Sequence, residues 1–131
     1  MGKNTCLVTG GAGFIGAELV RQLVASGRDV TVVDNLINGK RENLAGLPCR
    51  LEVCDIRDGA RVKALLQDVE VVYHLACLGV RHSIHSPLEN HEVNAGATLA
   101  LLSAAKEASV GRFVYVSTSE VYGTAVEVPM T

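Results

Sequence analysis

The chain has 131 residues, 48% of them hydrophobic, 20% charged and 4% aromatic, with a formal net charge of −2. That length holds one domain with its own core, without a disulfide or metal scaffold, and this composition excludes a disordered chain. The charges are mixed, so no basic patch points to nucleic acid or an anionic membrane. The apolar stretch in "MGKNTCLVTG" meets glycines too soon for a signal peptide or a membrane span, and a soluble cytoplasmic protein is expected.

In chain order, apolar runs predict strands at Thr5–Thr9, Val30–Val33, Leu51–Cys54, Val71–Leu75 and Arg112–Ser117. Helical spacing fills the gaps between them. Gly16, Leu19, Val20, Leu23 and Val24 share one face, and Gly27 stops that helix. The segment from Asn35 to Pro48 has no period and reads as a loop with at most one helical turn. Asp58 is placed as the N-cap of a helix that carries Val62, Leu65, Leu66 and Val69 on one side. A longer helix, begun by Pro87, is lined by Val93, Ala97, Ala100, Leu101, Ala104 and Ala108 and ends near Gly111. Alternating strands and helices, with several strands continuously apolar, predict an α/β fold: a doubly wound, Rossmann-type parallel sheet of order 3-2-1-4-5 in a single domain, 1–131. Cys6, Cys49, Cys54 and Cys77 form no C-x-x-C pair, and buried free thiols are expected of them.

The stretch "LVTGGAGFIG" joins the first strand to the first helix. Gly10, Gly13 and Gly16 are spaced G-x-x-G-x-x-G, shifted by one from the dinucleotide fingerprint. Gly10 is expected to make the turn, Gly13 to let a pyrophosphate approach, and Gly16 to let the helix press on the strand. The helix dipole would then favour the phosphates. A glycine run alone also suits a tight turn that holds no ligand. Asp34, which ends the second strand 18 residues beyond Gly16, adds a carboxylate for ribose hydroxyls. It would repel a 2′-phosphate, so the expected cofactor is NAD rather than NADP.

These residues resemble the extended short-chain dehydrogenase/reductase family, in particular its nucleotide-sugar epimerases, dehydratases and decarboxylases. "TGGAGFIG" resembles the family's dinucleotide turn, which brings in Phe14 and Ile15, and "DNLINGK" its ribose-binding loop, implying roles for Asp34, Asn35 and Asn38. "CDIRD" resembles the segment that sets Asp55 and Ile56 beside the adenine. "VYHLAC" is similar to the fourth strand, where Leu75, Ala76 and Cys77 would line the cofactor. "HEVNAGAT" implies a structural or cofactor-side role for Asn94. "VSTSEVYG" resembles the fifth strand, with Ser117 on the cofactor side and Thr118, Ser119 and Glu120 as catalytic residues. The departures are Cys77 and Ala97, where the family commonly has other small residues.

The resemblance implies transient oxidation of the sugar at C4 by NAD. A Tyr takes the hydroxyl proton, a neighbouring Lys lowers that Tyr from its usual pKa of about 10, and a Ser or Thr holds the same oxygen. Thr118 aligns with the hydroxyl residue, and Ser119 replaces the Asp typical of dehydratases, which favours a 4-epimerase, with a decarboxylase or dehydratase as the alternative. The family's Y-x-x-x-K does not occur: Tyr73 is followed four on by Cys77, Tyr115 by Ser119 and Tyr122 by Val126. Counted on from Thr118 it would fall past Thr131. The expectation is a chain that holds NAD, is cut before the family's last strands and sugar-binding portion, and is inactive alone; a non-catalytic or self-assembling module, such as a homodimer, is the alternative. His82, His85 and His91 read as a mobile loop and not as metal ligands, Arg81 as a solvated loop residue or a phosphate contact, and His74 as a hydrogen-bonded core histidine.

Overall fold

A computed structural model describes residues 3–130. Its centre is β1, Thr5–Thr9, in which Cys6, Leu7, Val8 and Thr9 are all buried. Such a strand must have neighbours on both edges and layers on both faces. It pairs in parallel with β2, Asp29–Asp34, on one side and with β4, Val71–His74, on the other. β3, Arg50–Val53, extends the sheet beyond β2, and β5, Arg112–Tyr115, extends it beyond β4. The order is β3-β2-β1-β4-β5, as the sequence predicts.

Helices cover the two faces. On one, α1 (Phe14–Ala25) closes a core of Val8, Val20, Val30 and Val32, with Leu44 added by a 3₁₀ turn at Arg41–Leu44. On the other, α2 (Gly59–Leu65) and α5 (Ala97–Glu107) close a core of Leu7, Val33, Val62, Leu66, Val72 and Leu101. Asp58 caps α2 as expected, its Oδ1 accepting the Arg61 N–H at 3.2 Å.

Several boundaries and faces differ from the sequence reading. β4 ends at His74 rather than Leu75, and β5 at Tyr115 rather than Ser117. The cause is the turn at Gly10, where φ is +69° and β1 leaves the sheet, so the outer strands run out of partners. The long helix is segmented: α4 (Pro87–His91) runs through a π-helical turn at Glu92–Gly96 into α5. On α5 the buried stripe runs Ala97, Leu101 and Ala105 at every fourth residue, so Ala105 is buried and Ala100, expected inside, falls off its edge and is exposed. His82 and His85 lie on a short helix, α3 (Val80–His85), and His91 ends α4, so the loop expected around them is helical instead. Glu89 accounts for this order, accepting from His82 Nε2 at 3.0 Å. The thiols are free, but only Cys6 and Cys54 are buried; Cys49 is half-buried and Cys77 is exposed. Cys77 follows β4 at the carboxyl end of the sheet and borders open cavity space. Among the described residues no helix is long and apolar enough to cross a membrane.

Candidate functional site

The switch point of a 3-2-1-4-5 sheet lies at the carboxyl ends of β1 and β4, where crossovers leave in opposite directions and open a crevice. Here that crevice is bordered by the glycine turn. A Cβ on Gly10 would lie 2.8 Å from the Ala76 nitrogen, and one on Gly16 would fall on the Gly10 carbonyl oxygen and 2.8 Å from Gly11 Cα. Both glycines are thus demanded by the fold. Gly13 is different: a Cβ there meets nothing nearer than 3.4 Å, so its outer face is open. Gly13 is also the N-cap of α1, with no side-chain cap and no acidic residue in the first turn. The first-turn N–H groups are therefore left for solvent or an anion.

Two cavities meet at Gly10 and at residues 75–78. The first is reached from the ends of β2 and β3 and takes in Asp34, Asn35, Asn38, Asp55, Ile56, Leu75, Ala76 and Cys77. The second lies over β4 and β5 and takes in Phe14, Ile15, Gly16, Asn94, Ser117, Thr118 and Glu120. Ser119 is exposed and does not line either cavity, because the 3₁₀ turn Ser119–Tyr122 carries it away while Thr118 Oγ1 accepts the Glu120 N–H at 3.3 Å.

Asp34 is buried, and each of its oxygens already accepts one backbone N–H: Oδ2 from Ala12 at 3.0 Å, Oδ1 from Leu36 at 2.8 Å. A carboxylate has about four lone-pair sites, so two acceptor positions remain. The same bonds tie the β2 end to the glycine turn. Gly39 approaches so closely that a Cβ would sit 2.8 Å from Asp34 Oδ1. Asp55 turns to Arg57, accepting from Nε at 3.0 Å and from the terminal nitrogen at 2.7 Å, and these bonds hold its carboxyl below the usual range. Arg57 reaches on to Glu89 at 3.3 Å and Glu92 at 3.6 Å, linking the β3 end to the segmented helix. Cys54 lines the first cavity as a thiol, since burial pushes its pKa up.

Asn94 clamps the turn after β4: its Oδ1 accepts the Leu78 N–H at 2.7 Å and its Nδ2 donates to the Leu78 carbonyl at 2.8 Å. Asn90, which the sequence did not single out, donates to the Leu78 and Gly79 carbonyls at 3.2 Å. His74 is the core histidine expected, placed between Thr9 Oγ1 at 2.6 Å and Thr98 Oγ1 at 2.7 Å. The roles of Thr9, Thr98 and Asn90 carry no local sequence signal; each depends on a partner brought in by another element.

Residues 6–131 match the NAD dependent epimerase/dehydratase family. A UDP-glucose 4-epimerase of Klebsiella pneumoniae is 39% identical over 132 residues, spanning 94% of this chain and 95% of that protein. UDP-glucuronic acid decarboxylase 1 of Arabidopsis thaliana is 40% identical over 124 residues, spanning 94% of this chain but 28% of its own length. Among solved structures, the UDP-glucose-4-epimerase of Stenotrophomonas maltophila with bound NAD and formylated UDP-arabinopyranose superposes with a TM-score of 0.87 at 34% identity. That match covers 96% of this chain and 40% of the other.

Proposed function

The chain belongs to the NAD dependent epimerase/dehydratase family, and from that premise we propose that it holds NAD across the switch point as the cofactor-binding portion of a nucleotide-sugar 4-epimerase-type enzyme. The observation that carries the reading is the uncapped N-terminus of α1 at the open face of Gly13, with a buried acceptor, Asp34, at the end of the next strand. NAD-bound and UDP-sugar-bound structures in the same family support it.

On this reading Gly13, Phe14, Ile15 and Gly16 offer backbone to the diphosphate, and Asp34, with Asn35 and Asn38 beside it, accepts from the adenosine ribose. Asp55, Ile56, Leu75, Ala76 and Cys77 enclose the adenine side, and Asn94 and Ser117 border the nicotinamide side. Bound there, NAD supplies a hydride acceptor for a sugar C–H. Thr118 is placed to hydrogen-bond the sugar hydroxyl, and Glu120 to exchange a proton; Ser119 would need the 3₁₀ turn to shift. No Y-x-x-x-K occurs in the sequence, so the reading assigns cofactor binding to these residues and does not assign the base among them. The domain is read as one unit over 1–131, and its free thiols support a cytoplasmic setting.

Asp34→Asn is expected to weaken NAD binding about 10-fold in calorimetry, the worth of one hydrogen bond to a charged acceptor. Unchanged NAD affinity in the folded variant would remove Asp34 from the site. Self-association is the companion reading, favoured by Leu88, Leu99 and Leu102, which stand 71%, 67% and 47% exposed. Sedimentation equilibrium is expected to show a dimer, and a monomer at high micromolar concentration would end that reading.

A further inference from the structure

Beneath the crevice runs a buried polar chain whose proton order follows from counting. Thr9 is fully buried, and its Oγ1 has one hydrogen to give and two lone pairs to fill. The Ala76 N–H donates to it at 3.1 Å, and the Leu75 N–H is shared between it and the Thr9 carbonyl, each at 3.1 Å. The buried hydroxyl hydrogen needs an acceptor, and among the described residues the one within reach is His74 Nδ1, at 2.6 Å. An Nδ1 that accepts carries no proton, so a neutral ring carries its hydrogen on Nε2 and donates it to Thr98 Oγ1 at 2.7 Å. The ring is also held by Tyr115, stacked at 5.8 Å, and Phe113 at 6.1 Å. No other partner of Thr98 Oγ1 is found among the described residues, and Thr98 lines the second cavity with His74.

We propose that Thr9, His74 and Thr98 form a hydrogen-bonded chain of fixed direction that pins the turn after β4 and ends by presenting the Thr98 O–H as a donor to whatever oxygen occupies the second cavity. Thr9 and His74 are positioning residues: they hold the Leu75 and Ala76 amides, and through them the wall shared by both cavities. His74 serves this role only as the neutral Nε2–H tautomer, since a proton on Nδ1 would set two donors against each other at Thr9. The effect on ligand affinity rests on the NAD reading; the proton order does not.

The test is ¹⁵N NMR of the histidine rings at neutral pH, with NAD titrations of the same samples. His74 is expected to show one protonated nitrogen, Nε2, and an unprotonated Nδ1. Thr9→Ser is expected to retain this signature and to bind NAD within about 2-fold of the parent, while Thr9→Val loses the signature and binds about 10-fold more weakly. Where Thr9→Val does not fold, Thr98→Val replaces it: the ring loses its Nε2 acceptor, the wall stays in place, and NAD binding falls severalfold, with Thr98→Ser restoring it. A ring protonated on Nδ1, or on both nitrogens, overturns the proposal. So does a serine variant that binds as poorly as the valine variant. Should the parent not bind NAD, the cofactor reading fails alone, and the ring signature still decides the proton order.

Discussion

Gly16→Ala is expected to destabilise the domain by about 3 kcal/mol or more, the upper range for forcing an atom into a closed-packed site. The new methyl would land on the Gly10 carbonyl oxygen, with Gly11 Cα 2.8 Å away. Both obstacles are backbone, so no side chain can swing aside. Relief requires α1 to move off β1, and that opens the core around Val20. Urea unfolding measures the loss. Gly13→Ala is the matched control: its Cβ meets nothing within 3.4 Å and its φ of −78° suits alanine. That variant should lose only about 1 kcal/mol, the cost of alanine at an N-cap, but bind NAD poorly, because the methyl occupies the face offered to the diphosphate. Equal stability for the two variants would show that α1 and β1 are not held in the close contact described.

The second large effect is acid lability. Burial pushes the His74 pKa down from 6.5 to about 4. Between those values the unfolded chain binds a proton here that the folded chain refuses, so stability rises with pH across the window. It is complete above pH 6.5 and lost as pH falls toward 4, by about 3 kcal/mol in all. Carboxylates held down by arginines contribute their losses at lower pH, below 3.8 for Asp55 beside Arg57 and below 4.5 for Glu52 beside Arg61 and Arg50. Urea unfolding at pH 7 and pH 4.5 reads the effect. His74→Gln should be less stable than the parent at neutral pH yet lose much less on acidification. A parent whose midpoint is flat across this window would mean that the ring reaches water and takes its proton in the folded state.

The strands and the glycine turn were legible in the sequence because their signals are local. "TCLVT" has an apolar centre between β-formers, as suits a strand with neighbours on both edges, and Gly16 is needed for its approach to Gly10 and Gly11 a few residues back, whereas the close approach to Gly10 comes from Ala76, far along the chain. Asp34 was legible for a similar reason: it ends a strand at a fixed distance from the glycines. The faces of the long helix were only partly legible, since alanines stand on both sides of it and the packed stripe, Ala97, Leu101 and Ala105, leaves Ala100 outside, while no residue type announces the π-helical turn at Glu92–Gly96. Ser119 was placed in the site by motif, yet a single 3₁₀ turn carries it out.

By itself, then, the amino-acid order determined the alternation of strands and helices, the strand order that right-handed crossovers impose, and a bare-backbone turn followed by an acid. Tertiary structure alone decided that Thr9 faces His74, 65 residues away, and that Asn90 and Asn94 grip the turn after β4. The physical reason is register. Parallel neighbours are joined by long crossovers, so which side chains meet is set by how whole elements pack, and no spacing along the chain records it.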